Sequence, residues 1–183
     1  MKNQVLNLCA KIATPIIAVS LLIALPLVCV AAEADSLNNM EEQKANSRKS
    51  IEWWNGKFDV NPDSLFAKDY VNHQEPIAAS DGEKGVSLDE LKDIVASYHK
   101  SFPETKVDIQ LQIAENNRVA THWTFTAVQK GMYEGLAATN KTVSWSGISI
   151  DEYNADGKIS ETWVVWDKFT MFKILGLIPS SKQ

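Results

Sequence analysis

The 183-residue chain has only two cysteines, Cys9 and Cys29, and both fall within its first 32 residues. Everything beyond Ala32 is therefore without disulfides, so its stability has to come from a packed core. The chain also lacks a glycine-rich phosphate loop and a G-x-S-x-G turn that would present a serine nucleophile. Its three histidines, His73, His99 and His122, are 26 and 23 residues apart and join no cysteine or carboxylate at ligand spacing. No metal site is indicated. A basic excess is missing too: all 23 acids lie beyond Ala32 with only 16 of the 18 lysines and arginines. That balance argues against nucleic acid or an anionic membrane surface as a partner.

The first 32 residues contain no acid, carry Lys2 and Lys11, and run uncharged from Ile12 to a small-residue ending at Val30-Ala31-Ala32. This reads as a secretory signal cleaved after Ala32, with an uncleaved membrane anchor over 12–32 as the alternative. Both readings export the remainder to a periplasmic or extracellular location, because the lysines precede the apolar run. A polar leader, 33–50, would run into the first helix, followed by a single domain over 51–178 and a short tail, 179–183. About 150 residues suffice for one domain with its own core.

Leu37, Met40, Ile51, Trp54 and Phe58 recur at helical spacing, with Gly56 near the end of that helix. Asn61-Pro62 starts a short second helix carrying Leu65 and Phe66. Ser87-Leu88-Asp89-Glu90 is a capping box, and Leu88, Leu91, Val95, Tyr98 and Phe102 form the apolar stripe of a third helix that Pro103 stops. Beyond Pro103 the period changes to two. Val107, Ile109, Leu111 and Ile113 alternate with polar residues; strands follow at 118–129, 141–152 and 158–167, the last after the turn Asn154-Ala155-Asp156-Gly157. Helices followed by long antiparallel strands give an α+β domain, a curved sheet packed against N-terminal helices and enclosing a cone suited to a small molecule.

Alternation on the last strand puts Glu161, Trp163, Val165 and Asp167 on one side, with Thr162, Val164 and Trp166 on the other. With the first side facing the cone, Asp167 is a candidate general acid and base beside Trp163. The competing reading is that Asp167 caps the helix over 169–176. His73 follows the second helix and is either a hydrogen-bond donor at the cone mouth or a surface residue. His99 and His122 read as solvated. Trp123, Trp145 and Trp163 either wall an aromatic ligand or fill the core.

Trp54-Asn55-Gly56-Lys57, Tyr70-Val71-Asn72-His73, Tyr98-His99-Lys100-Ser101-Phe102-Pro103 and Arg118-Val119-Ala120 before His122-Trp123 follow one another in order. Trp145-Ser146-Gly147-Ile148, Asp156-Gly157-Lys158-Ile159 and Glu161 to Asp167, ending in Leu175-Gly176-Leu177, continue the series. Together they resemble the SnoaL-like polyketide cyclase family, also called ester cyclase-like, over roughly residues 50–178. The resemblance implies the cone-shaped barrel of the nuclear transport factor 2-like superfamily, catalysis without a cofactor, and a homodimer. It also implies ring closure of a polyketide ester by intramolecular aldol condensation, with Asp167 at the position of the proton-transferring carboxylate and His73 lining the pocket. Thr162 stands where many relatives have a histidine.

On this reading Asp167 and His73 are the catalytic candidates, and Trp163, Trp145, Trp123 and Tyr98 the ligand-pocket candidates for a small apolar or aromatic carbonyl compound. The rival is an exported protein that binds such a ligand without transforming it, and a third reading is a dimerisation module with a filled cone.

Overall fold

The computed structural model describes residues 35–56, 59–73 and 85–178; the leader 1–32, Phe58 and the tail 179–183 lie outside them. Two compact units divide the chain, Met1–Asn39 and Met40–Gln183. In the first, the described residues 35–39 are helical. All that follows concerns the second.

Helix α1 spans residues 40–54, so most of the stretch that reads as a polar leader is helical. Its inward side is partly polar: Gln43, Ser47 and Ser50 are buried together with Ile51 and Trp53. Hydrogen bonds offset that burial. The Tyr153 hydroxyl donates to the Gln43 carbonyl at 2.7 Å and lies 2.8 Å from Ser47 Oγ, while Ser50 Oγ donates to the Ser47 carbonyl at 2.8 Å. Helix α2 is one turn, Pro62–Leu65, capped by the Asn61 side chain, which accepts from Asp63 N.

Strand β1, Phe66–Asn72, follows directly. The sequence reading has no strand here, because the burial order of these residues, two inward, two exposed, one inward, does not alternate. After the two-residue β2, Val86–Ser87, comes α3, Leu88–Ser101, whose capping box is complete: Ser87 Oγ accepts from Glu90 N, and the Glu90 carboxylate accepts from Ser87 N. Leu88, Leu91 and Val95 of its stripe are buried.

Four long strands complete the sheet: β3, Lys106–Glu115; β4, Arg118–Val128; β5, Thr142–Tyr153; and β6, Ile159–Trp166. Their order is β2-β1-β6-β5-β4-β3. Every adjacent pair is antiparallel except β1 with β6, which is parallel. The architecture is α+β, a curved six-stranded sheet with helices packed on its inner face. Helix α4, Lys168–Leu175, closes the chain and ends at Gly176, whose φ of 90° suits a residue without a Cβ.

The connection between β4 and β5 is held by one buried side chain. Gln129 donates from its amide to the carbonyls of Gly131, Leu136 and Ala137, and its oxygen accepts from Thr139 N and Oγ1. That connection carries Met132 and Tyr133 to the mouth of the cavity described next.

Candidate functional site

Alternation on β5 buries Val143, Trp145, Gly147, Ser149, Asp151 and Tyr153 and exposes the residues between them, apart from half-buried Glu152. Of the buried set, Trp145, Ser149 and Asp151 line a cavity of about 300 Å³ between the sheet and α1 and α3. Trp54, Tyr98, Phe125 and Trp145 supply an aromatic wall, and Tyr98 lies edge-on to both Trp54 and Trp145. Tyr70, Asn72, Ser149, Asp151 and Thr162 bring polar atoms to the same space.

Two carboxyls line this cavity, exposed Glu134 and buried Asp151. Asp151 is 2% exposed, and burial pushes its pKa up to about 6, against the hydrogen bonds from Ser47 and Thr162 that pull it down. Thr162 Oγ1 donates to Asp151 Oδ1 at 2.8 Å, while Asp151 Oδ2 is out of solvent contact and has no hydrogen-bond partner in the protein. Tyr70 lies beside Thr162 and Asn72, and burial pushes its phenol up, so it stays neutral. Thr162 of β6 thus ties the Asp151 carboxyl of β5, with the Tyr70 phenol of β1 beside them.

Asp167 is not in the cavity, which overturns its proposed inward placement. It is the exposed N-cap of α4, where its carboxylate accepts from Thr170 N at 2.9 Å. Hydrogen bonds from the Thr170 side chain and backbone hold its pKa below the ordinary carboxylate range, the opposite of what a general base near neutral pH requires.

The cause lies seven residues earlier. Tyr153 pairs with Ile159 but Glu152 pairs with Glu161, so Ser160 is an extra residue on β6. This bulge reverses the alternation. Ile159 is buried, yet beyond the bulge it is Thr162, Val164 and Trp166 that line the cavity.

Trp163 and His73 are corrected for the same reason. The register pairs Asn72 with Thr162 on the inner face, so the following residues of both strands turn outward. The His73 ring stacks on Trp163 with centroids 4.9 Å apart, its Nε2 is 2.7 Å from Glu161 Oε2, and the Arg118 guanidinium lies over the Trp163 ring, 5.9 Å from its centroid. This is a solvent-side cluster outside the cavity. Trp123, Trp145 and Tyr98 do line the cavity.

Sequence reasoning missed Asp151, Tyr70 and Thr162. The signal for Asp151 was present: it shares the odd-numbered face of β5 with Val143 and Trp145, so a carboxylate stood on an apolar face. Tyr70 carried no comparable signal, because β1 itself does not alternate. Among the described residues, no group of three or more His, Cys, Asp or Glu side chains is arranged to hold a metal ion.

The sequence profile of the SnoaL-like polyketide cyclase family matches residues 47–175, and the chain belongs to that family. Its fold is that of the nuclear transport factor 2-like superfamily. Similar solved structures include AclR, a proposed hydroxylase from Streptomyces galilaeus, at 26% identity and a TM-score of 0.68, covering 79% of this chain and 87% of that one. IdmH, a proposed polyketide cyclase from Streptomyces antibioticus, is similar at 21% identity and a TM-score of 0.64, covering 73% of this chain and 98% of its own. TsrD from Streptomyces laurentii follows at 17% identity and 0.63, covering 75% and 97%. Among curated proteins, none matches this chain at a significant level.

Proposed function

We propose that the protein is a cyclase or isomerase that works without a cofactor on a small, largely apolar carbonyl compound, with Asp151 as its proton carrier. The observation that carries this reading is a buried carboxyl in an aromatic cavity, with one oxygen unpartnered and a pKa pushed up to about 6. In its ionised form Asp151 takes a proton from a carbon next to a carbonyl, and the C–H electron pair becomes an enolate. The enolate carbon bonds to a second carbonyl carbon, and Asp151 returns its proton to the resulting alkoxide. Atoms and charge balance with no other reagent. Thr162 holds the carboxyl through its hydrogen bond, so the base stays positioned.

The test compares two isosteric changes on a panel of polyketide-like diketones and keto-esters, with products followed by mass spectrometry. Asp151→Asn is expected to lower turnover by about 10² to 10⁴, the range for a positioned general base, and Asp167→Asn to leave it within about twofold. Undiminished turnover in Asp151→Asn removes Asp151 as the base. Wild-type protein that binds these compounds and returns all of them unaltered establishes the rival reading, a carrier.

Family membership and the outer face of the sheet support a homodimer. On that face Leu111 and Ile113 of β3, Ile148 and Ile150 of β5 and Val165 of β6 are all at least 40% exposed. Register sets Ile148 beside Val165, and Ile150 in line with Ala120 and Ile113, which makes one apolar surface. The exported location rests on the leader sequence alone.

A further inference from the structure

Two hydroxyls link Asp151 to the backbone of α1. The Tyr153 hydroxyl, on the same face of β5 as Asp151, donates to the Gln43 carbonyl at 2.7 Å and lies 2.8 Å from Ser47 Oγ. Ser47 lies in turn beside the Asp151 carboxyl. Ser47, Tyr153 and Asp151 are at most 3% exposed, and neither Ser47 nor Tyr153 lines the cavity. The titratable groups beside the carboxyl are the phenols of Tyr153 and, from β1, Tyr70, both kept neutral by burial. From the other elements packed there, β6 brings Thr162, β4 Val119 and α1 Ser47, none of them charged.

The hydrogens in this arrangement can be counted. A carbonyl only accepts, so the one hydrogen of the Tyr153 phenol is spent on Gln43. Ser47 is then the donor in its contact with Tyr153, and its own hydrogen is spent as well. The links from Asp151 to Ser47, from Ser47 to Tyr153 and from Tyr153 to Gln43 need one hydrogen each, and the two hydroxyls supply only two. The missing one is the proton of the acid itself. Ionised Asp151 competes with Tyr153 for the Ser47 hydrogen. The shortage is visible in the structure: Thr162 donates to Asp151 Oδ1, but Oδ2 is out of solvent contact with no hydrogen-bond partner in the protein.

We propose that Ser47 and Tyr153 are positioning residues for Asp151, a relay in which the Ser47 hydrogen points to Tyr153 when the acid is protonated and to the carboxylate when it is ionised. In the protonated state Asp151 donates to Ser47, Ser47 to Tyr153 and Tyr153 to the Gln43 carbonyl. Ionisation turns the Ser47 hydroxyl and breaks its bond to Tyr153, so Tyr153 favours the acid form without touching a ligand. No proton leaves the relay; only the hydroxyl rotates. The inference rests on the reading of Asp151 as proton carrier and concerns how that carrier is held, which is measured without a substrate.

The test is an infrared titration of the full protein between about pH 4 and 8, spanning the ionisation of Asp151. The protonated-carboxyl band that is missing from Asp151→Asn reports its proton. Tyr153→Phe keeps the ring and removes the oxygen that competes for the Ser47 hydrogen. The midpoint is therefore expected to fall by about one unit, about tenfold in proton affinity, the worth of one hydrogen bond. In a chain already carrying Ser47→Ala, the same change is expected to move it by no more than about 0.3 unit. An equal fall in both backgrounds marks water entering a loosened core and overturns the proposal, as does a midpoint that Tyr153→Phe leaves in place or raises. Should Tyr153→Phe not fold, Ser47→Ala decides alone. It removes two neutral bonds from the protonated state and one charge-assisted bond of similar worth from the ionised state, so the midpoint is expected to stay within about half a unit. A rise of about one unit or more, the effect of losing a plain donor, overturns the relay. Turnover that survives Asp151→Asn would remove the base and leave these midpoints as they are, so the two failures are distinguishable.

Discussion

Thr162 Oγ1 donates a 2.8 Å hydrogen bond to Asp151 Oδ1 across the β5–β6 pair, inside the cavity. Thr162 stands where the family resemblance leads one to expect a histidine. Its hydroxyl donates to the carboxylate, so the threonine of β6 holds the buried acid of β5 in place.

The protonation of Asp151 is expected to show in stability. Its pKa in the folded state is about 6, against about 3.9 unfolded. A raised value means that the folded state binds the proton more tightly. The penalty for ionising it is therefore absent below pH about 4, grows between about 4 and 6, and is complete above that. At about 1.4 kcal/mol per unit, Asp151→Asn should gain up to about 3 kcal/mol relative to the wild type at pH 8 and lose that gain at pH 4. Urea denaturation at the two pH values measures the difference. A pH-independent difference contradicts the assignment.

Activity should carry the same group. With ionised Asp151 as base, kcat/KM rises with pH through a limb near 6. The Thr162 hydrogen bond lowers that value, so Thr162→Val is expected to move the limb upward by about one unit. A pH–rate profile of the variant decides it: a limb that stays in place separates Thr162 from the proton carrier.

Gly147→Ala is expected to destabilise the protein by about 1–3 kcal/mol, because its Cβ would enter the Trp123 ring edge. Trp123 has little freedom to yield, since Phe125 lies edge-on to it at 4.8 Å. Thermal denaturation and ligand titration should report lower stability and weaker binding together.

Ile148→Glu places a charge within the apolar outer face, on the side of β5 opposite cavity-lining Ser149. Sedimentation analysis is expected to show a dimer for the wild type and a monomer for the variant, with the far-ultraviolet dichroism unchanged. A wild-type monomer at micromolar concentration would rule out this surface as a self-association face.

Asp167→Ala should cost about 1 kcal/mol through loss of the α4 cap, and nothing in the pH dependence of turnover. Denaturant midpoints and a pH–rate profile measure the two separately.

Local chemistry wrote most of this fold into the sequence. Ser87 to Glu90 specify a helix start through two reciprocal hydrogen bonds, and the alternation from Val107 to Ile113 and from Val143 to Tyr153 specifies strands, because side chains on a strand point to opposite faces. Trp123 and Trp145 were legible as inward residues for the same reason, and Tyr98 through the helical stripe of α3. Only the tertiary structure decided which carboxylate the cavity receives. An extra residue at Ser160 is invisible without its partner strand, and so is the parallel pairing of β1 with β6, since both depend on contacts between distant residues. Those two pairings turned Asp167, Trp163 and His73 out to solvent and brought Thr162 and Tyr70 in beside Asp151.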